Sequence, residues 1–143
     1  MPMMVYSKNG LNLTEQFESC RLTAYQDASG VWTIGWGHVG QSVVEGLVWT
    51  QAQANSALSR DIQASADAVN SLVIVVLTQN EFDALVDFTY NVGIHNFATS
   101  GLLSLLNTGR FDEAAAHFDL WDHSGGKVVA GLLRRRQDET NLF

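Results

Sequence analysis

The chain has 143 residues, 46% hydrophobic and 16% charged, and a formal net charge of −7. That length makes one domain able to bury roughly 68–70% of its unfolded surface, and the acidic balance argues against duplex nucleic acid, whose affinity comes from phosphate neutralisation. No apolar run nears the roughly 20 residues a membrane helix needs; the longest, LVIVVL at Leu72–Leu77, reads as buried core, so no membrane insertion is expected.

The opening MPMMVYSKNG lacks a charged n-region followed by an apolar h-region, so the expected location is the cytoplasm of the cell that makes the protein. Residues 11–19, LNLTEQFES, place Leu11, Leu13 and Phe17 for a short first helix. Cys20 is the only cysteine, so no internal disulfide is possible. From Leu22 to His38 the period changes to two: Val31, Thr33 and Gly35 alternate with Trp32, Ile34 and Trp36, and Asp27-Ala-Ser-Gly30 is turn chemistry. A small antiparallel hairpin is predicted, with a third short strand near Val43. Trp32 and Trp36 leave it on the face opposite Thr33, where core packing is favoured over an exposed binding role.

After Thr50 the pattern is helical. Thr50 with Gln53 is a capping-box signature, followed by the stripe Ala54, Leu58, Ile62, Ala66 and Val69. Thr78 with Glu81 opens a second helix through Phe82, Leu85, Val86 and Phe88, closed near Asn91-Val92-Gly93. Shorter helices are expected near 100–107, 111–119 and 130–140, separated by Gly109 and by Ser124-Gly125-Gly126. The terminal LLRRRQDE reads as the solvated, ion-paired end of a helix. The fold class is therefore α+β. A single domain, 1–143, comprises a β-hairpin lobe (1–49), a long connecting helix (50–70) and a helical lobe (71–143), with a groove between the lobes suited to an extended polymer.

Glu18 at the end of the first helix, Asp27 at the hairpin turn and Thr33 on the next strand lie on three different elements. Two carboxyls in unlike surroundings are what glycoside hydrolysis needs: one holds a proton for the leaving oxygen, the other stays ionised to activate water. Glu18, near the negative end of a helix dipole and flanked by Phe17 and Leu22, suits the first role. Asp27, in a polar turn, suits the second, and the Thr33 hydroxyl suits holding the water. By themselves these three residue types are common, and surface carboxylates are mostly just solvated.

Their context is specific. FESCRLTAYQDASGVWTIGWGH resembles the signature of the phage-type lysozymes, the muramidase endolysins of tailed bacteriophages. The likeness continues in LTQNEFDALVDFTYNVG, in FATSGLLSLLNTGRFDEAAAHF and in GGKVVAGLLRRRQDETNLF, covering nearly the whole chain in order. The resemblance implies a lysozyme-like fold and hydrolysis, without metal or cofactor, of the β-1,4 bond between N-acetylmuramic acid and N-acetylglucosamine in peptidoglycan. It makes Glu18 the catalytic acid, Asp27 the second carboxylate and Thr33 the residue beside the water, and implies an inverting outcome. It also implies a monomer, retained in the host cytoplasm and released to the wall through a holin.

Further matches carry further expectations. The resemblance makes His38 and Asp61 a buried structural ion pair, and places Tyr90, Asn91, Ser100 and His117 near bound sugar. Tyr90 serves equally well as core, and Asn91 as a helix cap. One of Arg134, Arg135 and Arg136 is expected to pair with Glu18. A zinc site at His38, His95, His117 and His123 fails on spacing, with no H-E-x-x-H or C-x-x-C. Three departures stand out: Ser19-Cys20 replaces the family's common Glu-Gly, Leu72–Leu77 lacks a proline, and the net charge of −7 forgoes the steering that a basic lysozyme has toward an anionic wall.

Overall fold

A computed structural model describes residues 2–124 and 126–143; Gly125, within the expected Ser124-Gly125-Gly126 break, lies outside the described residues. In chain order the elements are α1 (Lys8–Phe17), β1 (Arg21–Gln26), β2 (Trp32–Gly35), β3 (His38–Val39), α2 (Gln51–Leu72), α3 (Gln79–Val92), α4 (Ile94–Ala98), α5 (Gly101–Asn107) and α6 (Phe111–His117). A 3₁₀ turn (Phe118–Trp121), β4 (His123–Ser124), β5 (Lys127–Val128) and α7 (Ala130–Leu142) follow. The mixed α+β class read from the sequence is the class observed.

Two compact units form, one of residues 14–63 and one of residues 1–13 with 64–143. In the first, β1, β2 and β3 make an antiparallel sheet in that order, with Tyr25 opposite Thr33 and Ile34 opposite His38. The third strand is His38–Val39, not a segment at Val43; Val43 is instead a buried loop residue of the unit's core. Ile34 is the fully buried side chain of β2, while Trp32 and Trp36 are only half-buried, which corrects the expectation that the tryptophans fill the core. The Trp36 indole donates its N–H to Asn55 Oδ1 at 2.9 Å. Gly35 is buried, and a Cβ there would sit 3.1 Å from the Trp49 ring.

The capping chemistry of α2 is realised in full. Gln53 Oε1 accepts from the Thr50 N–H at 2.8 Å, and Thr50 Oγ1 accepts from the Gln53 N–H at 3.2 Å, satisfying two N–H groups that a helix start otherwise leaves unpaired. The stripe Ala54, Leu58, Ile62, Ala66 and Val69 is buried throughout.

In the second unit, Thr78 and Glu81 form the capping box of α3, and the Gly93 N–H closes that helix on the Thr89 carbonyl. Phe88 centres an aromatic cluster with Phe97, Phe118 and Trp121, all edge-on at centroid separations of 5.3–6.4 Å. Two expectations are corrected here. Of LVIVVL only Val73 is buried; Ile74 and Val76 are 71% and 79% exposed, because Leu72 ends α2 and the residues after it form a link outside any helix or strand that turns these two side chains outward. The arginine run is not solvated: Arg135 and Arg136 are buried, because acidic partners from other turns come to meet them, and only Arg134 is exposed.

Candidate active site

Glu18, Asp27 and Thr33 all belong to the unit of residues 14–63. Glu18 directly follows α1, its N–H donated to the Thr14 carbonyl at 3.0 Å, so the helix ends where this side chain begins. The carboxyl is half-buried beside the turn after β2: a Cβ built on Gly37 would lie 3.8 Å from Glu18 Oε2. Gly37 holds φ +95°, a conformation that side chains rarely adopt, so glycine lets this turn form next to the carboxyl.

Asp27 organises the β1–β2 turn. Its Oδ1 accepts from the Ser29 N–H at 2.8 Å and from the Val31 N–H at 2.9 Å, and its own N–H is donated to the Val31 carbonyl. That carbonyl also accepts from the Thr33 hydroxyl at 3.0 Å. One peptide residue thus ties the Asp27 carboxylate and the Thr33 hydroxyl together. Oδ1 is spent on the turn and leaves Oδ2 for chemistry, and the Thr33 O–H is spent on Val31 and leaves oxygen lone pairs.

His38 Nδ1 and Asp61 Oδ2 are 2.7 Å apart, with side chains 24% and 30% exposed, so the pair exists but is half-buried and not the buried pair expected. The imidazole lies tilted over Trp49 at 5.3 Å between centroids. The free thiol of Cys20 is half-buried and accepts from Gln51 Nε2 at 3.6 Å.

The residues expected near sugar fall in the other unit. Tyr90 is half-buried in the last turn of α3. Asn91 does not cap its helix; its Oδ1 accepts from Arg136 Nη2 at 2.9 Å. Ser100 caps α5 and is buried, accepting from the Leu103 N–H at 3.1 Å and donating to the Phe97 carbonyl at 2.7 Å. His117 is packed onto the next residue, since a Cβ on Gly101 would lie 3.1 Å from its ring. His117 therefore lies against the start of α5, the helix that Ser100 caps.

The sequence did not reveal the buried charge cluster behind α3. Arg135 binds Asp87 through two hydrogen bonds of 2.8 and 2.9 Å, and Arg136 pairs with Glu139 and lies over the Phe88 ring. Burial, joined by a hydrogen bond to Asp87, pushes the Glu139 carboxyl well above the ordinary carboxylate range, and burial lowers Arg136. Among the described residues no group of three His, Cys, Asp or Glu side chains is placed to hold a metal ion, and no helix is long and apolar enough to cross a membrane.

The phage lysozyme family model matches residues 15–139. An endolysin of Bacillus phage PZA is 47% identical over 142 residues, 98% of this chain but 55% of that protein, so the chain spans about half the length of this curated relative. An endolysin of Salmonella phage P22 is 41% identical and covered over 99% of both chains. Among solved structures, the muramidase domain of SpmX from Asticaccaulis excentricus superposes with a TM-score of 0.90 at 42% identity over 97% of each chain.

Proposed function

From the premise that this chain belongs to the phage lysozyme family, we propose that it is a muramidase that lyses a bacterial host by cutting the β-1,4 bond between N-acetylmuramic acid and N-acetylglucosamine in peptidoglycan. The observation that supports the reading most is the double use of Val31, whose N–H is donated to the Asp27 carboxylate and whose carbonyl accepts from the Thr33 hydroxyl.

A water has two hydrogens to donate. Asp27 Oδ2 accepts one and a Thr33 lone pair the other, which leaves the water oxygen's own lone pair facing the sugar. Glu18 gives its proton to the glycosidic oxygen, the bond to the anomeric carbon breaks, the water oxygen bonds that carbon, and its proton passes to Asp27. Water held on the face opposite the acid gives inversion, a geometry with carboxyl groups roughly 6.5–9.5 Å apart. Tyr90, Asn91, Ser100 and His117 are assigned to neighbouring sugars, the side chains supply the chemistry without a cofactor, and the enzyme acts as a monomer reaching the wall from the host cytoplasm after a holin opens the membrane.

The test is Glu18→Gln. The variant should sediment with purified cell walls as the unmodified protein does and release no fragments. An unmodified protein that binds walls and never clears them would instead be a wall-binding module.

A further inference from the structure

Asn91 lines a cleft of about 370 Å³ together with Val92, Asn96, Trp121, His123 and Leu132. Behind it Arg136 is wholly buried, held by Glu139 through Nη2 to Oε2 at 3.0 Å, and its guanidinium reaches both the Asn91 side chain at 2.9 Å and the Trp121 carbonyl at 3.4 Å. A guanidinium only donates, so the Asn91 atom facing it must be the oxygen. The amide is planar, so its NH₂ group then turns away from Arg136. Among the described residues no protein acceptor takes that NH₂, and Asn91 is half-buried at the cleft wall.

We infer that Arg136 is a positioning residue for substrate: it locks the Asn91 amide so that the cleft presents an N–H donor, and so selects a ligand group with an acceptor oxygen, a carbonyl or carboxylate of the wall polymer. This rests on the muramidase reading for its substrate. Charge alone would not do this work, because a mobile amide would offer donor and acceptor equally.

The test compares Asn91→Asp with the unmodified enzyme on soluble peptidoglycan fragments. Aspartate keeps the pairing with Arg136 and turns an acceptor toward the cleft, so KM should rise about tenfold or more with kcat within about twofold. Arg136→Lys retains a donor toward Asn91 and should hold KM within about twofold even where stability falls; Arg136→Met, which has no donor, should raise KM toward the Asn91→Asp value if it folds. A KM unchanged in Asn91→Asp overturns the inference, whatever Arg136→Met does. If the unmodified protein cuts nothing, the muramidase reading fails separately. Wall sedimentation then decides the inference: weaker binding by Asn91→Asp supports it, and equal binding overturns it.

Discussion

Asp27 and Thr33 meet at a single residue: Val31 donates its N–H to the carboxylate at 2.9 Å and accepts the hydroxyl's proton at 3.0 Å through its carbonyl. The arrangement separates the structural duty of Asp27 in the turn from the chemical duty proposed for it. Asparagine can accept the same two N–H groups through Oδ1 but cannot take a proton from water. Asp27→Asn should therefore melt within a few degrees of the unmodified protein while activity falls about a hundredfold or more, whereas Asp27→Ala should also lower Tm. Calorimetry and a wall-clearing assay on the two variants check this, and equal melting of all three proteins would contradict the turn's dependence on Oδ1.

Gly37 tests the placement of Glu18. Space is not the obstacle, since an added Cβ would lie 3.8 Å from Glu18 Oε2, an ordinary contact; the obstacle is φ +95°. Gly37→Ala should cost on the order of 1–3 kcal/mol of stability through backbone strain and reduce kcat as the turn shifts beside the acid. Urea unfolding and turnover measured together check it.

The sequence made much of this legible where the chemistry is local. Both capping boxes and the Asp27 turn lie within a few residues of chain, and the motif around Asp27 and Thr33 carries the resemblance on which the proposed trio rests. What it concealed is long-range or short. The five residues of α4 are too few to show a helical period, and β4 and β5 pair only His123-Ser124 with Lys127-Val128. Arg135 and Arg136 read as surface because charge normally is; they are buried only because Asp87, 48 residues away in sequence, and Glu139 meet them. Ile74 and Val76 read as core because hydropathy carries no record of which side chains a link turns outward. The Val31 clamp is main-chain and has no side-chain signature.

Arg135 and Asp87 form a bidentate pair with side chains 4% and 0% exposed. Removing one charge leaves the other buried and uncompensated. Arg135→Met should cost about 3–5 kcal/mol, and the double variant Arg135→Met with Asp87→Asn should recover part of that loss. Denaturant midpoints of the single and double variants provide the check; a double variant weaker than the single would contradict it.

Glu139 supplies a pH signature. Its carboxyl in the folded state sits well above the ordinary range because of burial first and Asp87 second. Between the unfolded value, about 4.3, and that raised value the folded state binds more protons than the unfolded one, so this group's contribution is whole at low pH and is lost as pH rises through the interval. Glu139→Gln mimics the protonated form. The stability difference between variant and unmodified protein should shift in the variant's favour as pH rises from 4 to 8, and a difference that does not change with pH would contradict the assignment.

The measurement that bears most directly on the proposed hydrolase activity is mass analysis of purified peptidoglycan digested by the unmodified protein. Hydrolysis predicts fragments ending in N-acetylmuramic acid with a new reducing end, one water added for each bond cut, and none from Glu18→Gln. Anhydro-muramic ends would show that no water attacks and that Asp27 and Thr33 do not hold one; cut peptide stems with intact glycan would place the chemistry on a different bond altogether.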